Sequence, residues 1–244
     1  MKKAVFFILF TFAASHLAGQ QSGLSITGGI GTYELSDLKT YHNELLTRLP
    51  LEAGAFTYFP PFTNIRINLY RQELSGLKYG LVYAFSATGA HANYTDYSGY
   101  LNLDQEIAAY QFGASAGYRL LNVDFFITQF VISAYGDLRL SYTRDKVMMN
   151  INTRHYYENN KLILNAFSPG AELGLEALFN VNTISVGVEG GYYFDAGTKF
   201  NAGEQSNPES YVSLLPPGEL NTDMSGVRIG LKVVKRFSLE LFAE

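Results

Sequence analysis

Few side chains of this sequence are spaced for catalysis, and those around His91 offer the best case. Ser86 and Thr88 precede His91 and Asp96 follows it, so two hydroxyls, an imidazole and a carboxylate lie close together in sequence. Such a set could activate a nucleophile for hydrolysis or transfer of a lipid acyl chain. Because no motif fixes these partners, we expect solvated loop histidines and no catalytic residues.

Candidate metal and phosphate sites are equally sparse. Asn102, Asp104 and Glu106 alternate along one strand face and could bind a hard cation such as calcium, but no loop motif supports them. The glycines of residues 28–31 lack the spacing and the following helix of a phosphate-binding loop. The chain has no cysteine, which excludes disulfides, thiolate metal ligands and a thiol nucleophile. We therefore expect neither a metal site nor a cofactor.

The elements that must position these residues are alternating apolar and polar runs, and none is a long helix. Eight runs reach or exceed the ~9 to 11 residues that a tilted strand needs to cross a bilayer. They are Leu24 to Tyr33, Phe62 to Gln72, Lys78 to Ala90, Glu106 to Arg119, Asp124 to Tyr142, Lys161 to Leu178, Thr183 to Gly197, and Ser225 to Lys235. The sequence predicts an all-β fold, a closed antiparallel transmembrane β-barrel of eight strands. Leu51 to Tyr58 could add a strand, which with a partner would make ten.

The connections between these runs alternate in length. Short connections are expected at Glu73 to Leu77, Leu120 to Val123 and Phe179 to Asn182. Long ones are expected at Glu34 to Pro61, His91 to Gln105, Thr143 to Asn160 and Thr198 to Met224. Tight periplasmic turns and extended extracellular loops produce this alternation in outer-membrane barrels.

Alternation within each run assigns every side chain to the lipid or to the interior. In the seventh run, Val186 and Val188 would face lipid while Ser185 and Glu189 face inward. An eight-stranded barrel is only wide enough for side chains to fill it, so inward charges of nearly balanced sign predict a salt-bridged network and no open pore. Its expected members are Arg66, Arg119, Asp137, Arg139, Glu172, Glu176, Glu189, Arg228 and Lys232.

The N-terminus has the pattern of a secretory signal peptide. Two lysines precede an apolar stretch from Ala4 to Ala14, and small residues follow. We assign residues 1–20 to a removed signal peptide and residues 21–244 to one barrel domain. Removal leaves 16 Lys and Arg against 22 Asp and Glu, which argues against a nucleic-acid partner.

Two loop features stand out from the strand pattern. Apolar residues at helical spacing follow Ser36, a candidate N-cap, and stop at Pro50, which predicts a short amphipathic helix. This helix would pack on the barrel mouth, or act as a lid, a lipid contact or a partner site. Tyr94, Tyr97 and Tyr100 would form an interfacial girdle, or an exposed aromatic loop that binds an extracellular protein or glycan.

Four segments carry a resemblance to known proteins: Gly31 to Lys39, Phe59 to Phe62, Ala87 to Gly89 and Asp96 to Gly99. Through them the chain resembles a family of uncharacterised bacterial outer-membrane β-barrel proteins, and its plan is similar to the small OmpA and OmpX type of barrel. The resemblance implies an integral outer-membrane protein whose partners are lipid and the barrel assembly machinery. It brings no established activity and no catalytic residue.

These observations predict a non-enzymatic barrel with a structural or surface-interaction role. Two alternatives stay open: a lipid-modifying barrel enzyme, and a narrow channel or small-ligand conduit if there are ten strands. The enzyme requires a histidine, a serine and a carboxylate within hydrogen-bond reach at the membrane face. The channel requires a continuous lumen.

Overall fold

The computed structural model describes residues 21–48, 55–56, 59–97, 99–154, 156–206, 213–216 and 218–238. The predicted signal peptide lies outside these residues. The elements are β1 Gln21–Gly31, α1 Ser36–Thr47, β2 Ala55–Phe56, β3 Phe62–Gln72, β4 Leu77–Asp96, β5 Gly99–Phe125, β6 Thr128–Thr153, β7 Tyr157–Val181, β8 Ile184–Asp195, β9 Asn201–Gln205 and β10 Gly226–Ser238.

Eight of these strands form a closed antiparallel ring. Each strand pairs with the next in the order β1, β3, β4, β5, β6, β7, β8 and β10, and β10 pairs again with β1. The predicted eight-stranded barrel is confirmed. The possible extra strand exists as the two-residue β2, but it pairs with β4 outside the ring, as β9 pairs with β7. Ten strands in one ring is therefore wrong for the described part of the chain.

Several predicted loops are strands. β4 and β5 pair continuously as far as Asp96 and Gly99, so the loop expected at residues 91–105 is a hairpin. β6 and β7 pair from Gln129 opposite Asn180 to Asn152 opposite Tyr157, which replaces the loop expected at residues 143–160. Likewise, residues 120–123 lie within β5, and the turn follows Phe125. We call the end of the ring with the short turns the turn end, and the opposite end the cap end.

An aromatic belt divides the outer surface into two zones. The belt consists of Phe85, Tyr110, Tyr142 and Phe167 on β4 to β7, with neighbouring ring centroids 5.1, 6.4 and 4.9 Å apart. Between the belt and the turn end, the outward side chains are apolar and exposed. They include Leu138, Leu140, Leu173, Leu175, Val186, Val188, Ile229 and Leu231. This band matches the surface that a bilayer covers, with aromatic rings at its edge.

Beyond the belt the same strands continue with reversed polarity. On β5, Leu101 and Leu103 point inward and are fully buried, while Asn102 and Glu106 point outward. From Tyr110 to its start at Gly99, β5 supplies about 35 Å of extended chain outside the band. The expected loops were misplaced because strand pairing persists where the outward face turns polar.

Helix α1 fills the space enclosed by these strand extensions. The predicted helix is present, but the predicted N-cap is wrong: Ser36 is the first helical residue and Leu35 precedes the helix in a left-handed conformation. The Ser36 hydroxyl donates to Asp223 at 3.0 Å. Its buried face is Leu38, Tyr41, His42 and Leu45. Among the described residues, no helix is long and apolar enough to cross a membrane.

One hydrophobic core unites α1, the strand extensions and the segment before β10. Its members include Leu38, Leu45, Leu101, Leu103, Val147, Met149, Leu162, Leu164, Leu214 and Met224. We call this unit the cap: α1, the parts of β4 to β7 beyond the belt, and residues 213–216 and 218–224. It packs like a soluble protein on top of a membrane barrel.

Candidate functional site

Nine charged side chains inside the ring form one continuous run of ion pairs in which basic and acidic groups alternate. From the turn end they are Lys78, Glu176, Lys232, Glu189, Arg66, Asp137, Arg139, Glu172 and Arg228. We call this run the charge ladder. All its side chains are at most 5% exposed except that of Lys78, at 14%.

Arg66 joins the two halves of the charge ladder. Its Nη1 donates to Glu189 Oε2 at 2.9 Å, and its Nη2 lies 2.8 Å from Asp137 Oδ2. The guanidinium also lies over the Tyr135 ring, 4.4 Å from the ring centroid. A planar guanidinium suits this position because its donors engage two carboxylates while its face stacks on an aromatic ring.

Towards the turn end, lysines connect the acidic groups. Lys232 Nζ lies 2.8 Å from both Glu176 Oε2 and Glu189 Oε2. Lys78 ends the run by an ion pair with Glu176. Both glutamates therefore lie between two basic groups, which offsets the large cost of burying a carboxylate.

Towards the cap, the charge ladder is closed by polar side chains. Glu172 Oε2 lies 2.8 Å from Arg139 Nη2 and 3.2 Å from Arg228 Nη1, and Glu172 Oε1 accepts from the Tyr135 hydroxyl at 2.9 Å. Gln111 Oε1 accepts from both arginines at 3.0 Å. These contacts connect β5, β6, β7 and β10 across the lumen.

Aromatic rings fill the lumen around the charge ladder by lying across glycines of neighbouring strands. A Cβ added to Gly174 would meet Tyr135 Cζ at 2.6 Å, and one added to Gly23 would meet Tyr70 Cζ at 2.5 Å. Phe62 covers Gly31 in the same way, at 2.3 Å from its Cζ. Because glycine has no side chain, each ring can lie flat against the barrel wall. Ion pairs and rings together fill the interior at this level.

The structure joins eight of the nine residues predicted for the interior network. Arg119 is the exception: it faces inward near the turn end but takes part in none of the ion pairs among the described residues. Lys78 is the member that sequence reasoning missed. It lies on β4 at the same parity as the inward Val82, so the alternation itself contained the signal.

The candidate catalytic residues do not assemble. His91 Nδ1 contacts Asp104 on the outer face of the cap, whereas Ser86 is buried inside and accepts from the Tyr33 hydroxyl. Asp104 lies six residues beyond the belt residue Tyr110, or roughly 20 Å along the strand. Because Ser86 and His91 differ in parity along β4, the Ser86 hydroxyl and the His91 imidazole lie on opposite faces of that strand. His155 lies outside the described residues.

The candidate metal ligands Asn102, Asp104 and Glu106 share the outer face of β5, but Asp104 contacts His91, and Glu106 pairs with Lys146 at 3.2 Å. Within the part of the chain that the structure describes, no three His, Asp or Glu side chains are grouped to hold a metal ion. Tyr97 is fully exposed at the hairpin tip, well beyond the belt. Its expected girdle position is therefore wrong.

A buried polar relay connects α1 to the cap wall. His42 Nδ1 lies 3.0 Å from Gln105 Oε1, and Gln105 Nε2 donates to Asp145 Oδ2 at 2.8 Å. Burial raises the pKa of Asp145 to about 7, partly offset by the Gln105 hydrogen bond. Burial also lowers the pKa of His42, and the same amide opposes that shift. Both groups therefore favour their neutral forms in the folded cap.

The closed ring, the apolar band and the aromatic belt together decide the architecture. The chain folds as a closed eight-stranded β-barrel whose outer surface suits a lipid bilayer. No family model matches the sequence, and no curated protein matches it.

Among the solved structures similar to the chain are three at 11 to 12% sequence identity. A major outer membrane protein from Thermus thermophilus shares 11% identity, with 88% of this chain and 99% of that chain covered and a TM-score of 0.47. Ail of Yersinia pestis shares 12%, with coverages of 89% and 99% and a TM-score of 0.37. Neisserial surface protein A shares 11%, with coverages of 89% and 96% and a TM-score of 0.35.

Proposed function

We propose that this protein is a non-enzymatic barrel of the bacterial outer membrane that presents its cap at the cell surface and does not conduct. The observation that carries the proposal is the reversal of polarity at the aromatic belt. Below the belt, apolar side chains face outward as lipid requires, and above it they face inward as water requires. A chain built this way positions a water-exposed unit against one leaflet.

The direction of insertion follows from the connections. β3 and β4 are joined by residues 73–76, and β7 and β8 by residues 182–183. Tight turns of this kind face the periplasm in outer-membrane barrels, which supports a cap outside the cell. Surface interaction is therefore the role that the exposed part of the molecule supports.

Cysteine labelling tests this orientation, because the chain has no cysteine of its own. Tyr97→Cys introduces a thiol at the cap tip and Leu74→Cys introduces one in a turn, and both parent side chains are at least 90% exposed. With a membrane-impermeant maleimide, intact cells should label Tyr97→Cys and not Leu74→Cys. Permeabilised cells should label both. Labelling of Leu74→Cys alone on intact cells would reverse the orientation and refute the surface role.

The filled lumen supports the absence of conduction. The charge ladder and the rings of Tyr135 and Tyr70 occupy the interior, and an eight-stranded ring leaves little room beyond side chains. In planar bilayers the purified protein should give no stable ion conductance. Reproducible single-channel steps would favour the channel alternative instead.

A lipid-modifying activity finds no support in the His91 region, because the arrangement described above separates the hydroxyl from the imidazole. Lipid extracted from cells with the wild-type protein, a His91→Ala variant and a deletion should show the same acyl composition. Remodelling present only with the wild type would make His91 a catalytic base. The partners we propose are outer-membrane lipid at the apolar band, the barrel assembly machinery, and an extracellular protein or glycan at the cap tip.

A further inference from the structure

The alternation of the charge ladder stops at its turn end, where basic groups follow one another. Beyond Lys78, Arg119 on β5 and Arg236 on β10 face the lumen and are partly buried. None of the ion pairs among the described residues includes either arginine. The Nε of Arg119 is buried without a hydrogen-bond partner in the described part of the chain.

The fold brings these like charges together. Arg119 lies within electrostatic range of both Lys78 and Arg236. Its backbone is held at this level because its N–H donates to Gly76 O at 3.2 Å. Arg236 Nη2 donates to Ser185 Oγ at 2.6 Å, which is a neutral partner, and no carboxylate of the described residues forms an ion pair with it. The last carboxylate of the charge ladder, Glu176, is already paired with Lys78 and Lys232.

Tyr70 supplies a neutral donor near both arginines. Gly23 of β1 pairs with Tyr70 of β3 on one side and with Arg236 of β10 on the other, and the Tyr70 ring crosses over Gly23. The Tyr70 hydroxyl lies within electrostatic range of Arg236 and Arg119. A phenol and two guanidiniums thus converge on one region of the lumen near the turn end.

We propose that this region binds an oxyanion of the phosphate type, which occupies the next acidic position of the charge ladder. Guanidinium groups present paired donors that match the geometry of phosphate oxygens, and an anion would neutralise two charges that no carboxylate of the described residues compensates. This assignment rests on the orientation proposed above, in which the turn end faces the periplasm, so the oxyanion is either free phosphate or the phosphate of a lipid headgroup. The site adds a ligand to the proposed function, bound in the lumen near the turn end.

Thermal unfolding of the intact folded protein in a neutral detergent tests the site. Inorganic phosphate should raise the unfolding midpoint in a saturable manner, whereas sodium chloride at equal ionic strength should not. Arg119→Gln and Arg236→Gln should each weaken the apparent phosphate affinity by about tenfold or more, since each removes a charge-assisted contact. Equal effects of phosphate and chloride would overturn the proposal.

Lys235→Gln is the matched control. Lys235 adjoins Arg236 but points outward and donates to Thr183 Oγ1 at 3.0 Å, so its loss removes the same charge from the opposite face. Phosphate affinity should stay unchanged in this variant, and a loss equal to that of Arg236→Gln would show a general charge effect and refute the site. In phosphate-free buffer, Arg119→Gln and Arg236→Gln should unfold at the wild-type temperature or above it, because each relieves repulsion. A large decrease there would assign both arginines a structural role instead.

Titration with a lipid distinguishes free phosphate from a lipid headgroup as the source of the oxyanion. Short-chain phosphatidic acid and inorganic phosphate are titrated separately, with phosphatidylcholine of the same chain length as a reference. Saturable binding of inorganic phosphate that Arg119→Gln weakens supports a soluble ligand, and binding of phosphatidic acid alone supports a headgroup. Absence of both would refute the site while leaving the labelling and conductance results of the proposed function intact.

Discussion

The membrane-embedded and cap regions of this barrel are built from the same strands with opposite polarity. On β6, Leu138 and Leu140 point outward below the belt while Asp137 and Arg139 point inward. From Val147, five residues beyond the belt residue Tyr142, the pattern has exchanged sides, and Val147 and Met149 are the inward residues. The strand alternation is unbroken, so only the solvent on each side has changed.

This difference shows that two stabilising forces act along one sheet. Inside the band, the interior is held by ion pairs and hydrogen bonds, and the outside by lipid. In the cap, burial of apolar side chains from water is the main force, as in a soluble protein. The same type of substitution should therefore have opposite effects on stability in the two regions.

The largest expected effect is the loss of a carboxylate from the charge ladder. Asp137→Asn removes the shared partner of Arg66 and Arg139 and should destabilise the barrel by about 3 to 5 kcal/mol, because both cations stay buried. Urea unfolding in detergent measures the change. Glu219→Gln is the control, since it breaks an exposed pair with Lys199 and should cost below about 1 kcal/mol. Equally small effects from both would mean that water fills the lumen.

A cavity in the cap should act on the cap alone. Leu103→Ala removes a fully buried side chain and should lower cap stability by about 2 to 5 kcal/mol, detected as faster proteolysis in urea. The heat-modifiable gel mobility of the ring should persist at the same urea concentrations. Leu215→Ala, at a half-exposed cap position, should change neither. If both transitions shifted together for Leu103→Ala, the two regions would be one cooperative unit.

The buried relay gives the cap two opposing responses to pH. The folded pKa of Asp145 is raised, so its contribution to stability is complete below the unfolded value near 4 and is lost as pH rises towards about 7. The folded pKa of His42 is lowered, so its contribution is present above about 6.5 and is lost on acidification.

Single variants should separate these two responses. In the Asp145→Asn variant, the cap should lose stability only as pH falls below about 6.5. In the His42→Gln variant, the cap should lose stability only as pH rises from about 4 to 7. Proteolysis rates of the cap at a series of pH values measure both. Identical profiles in the wild type and both variants would show that neither group is linked to docking of α1.

The smallest expected effect lies at the boundary between the regions. The Tyr142 hydroxyl donates to Asn165 Oδ1 at 2.7 Å, and Tyr142→Phe should cost about 0.5 to 1.5 kcal/mol while it keeps the aromatic ring. Tyr110→Phe, its neighbour in the belt, should cost less, since no side chain among the described residues bonds to that hydroxyl. A larger loss for Tyr110→Phe would show that headgroup contacts set the energy of the belt.

Strand number and order could be predicted from the sequence because alternation and turn spacing are local properties. The position at which each strand ends in the cap could not be predicted, because the strand runs were identified by an apolar outward face. At His91 and Thr143 the outward face turns polar, and the pattern resembled a loop although pairing continues to Asp96 and Thr153. The α1 helix was predictable because its apolar spacing is local.

The charge ladder was predictable in membership but not in connectivity. Parity along each strand placed Arg66 and Glu189 inside, yet their contact joins residues 123 positions apart on strands that are not neighbours. Arg119 shares the correct parity but lies near a bulge at the turn end, where no carboxylate of the described chain faces it. Lys78 was omitted from the predicted network although it begins the third run and has the inward parity.

The rings that lie across glycines have a consequence for assembly fidelity. A two-residue slip of β1 against β3 keeps every side chain on its proper face, so polarity alone cannot reject it. In the observed register, Tyr70 lies opposite Gly23 and Phe62 opposite Gly31. A slip in one direction would place Tyr70 against the side chain of Ser25, and in the other against that of Gln21. The glycines near the two ends of β1 therefore allow only one register of β1 against β3 when the first and last strands pair to close the ring.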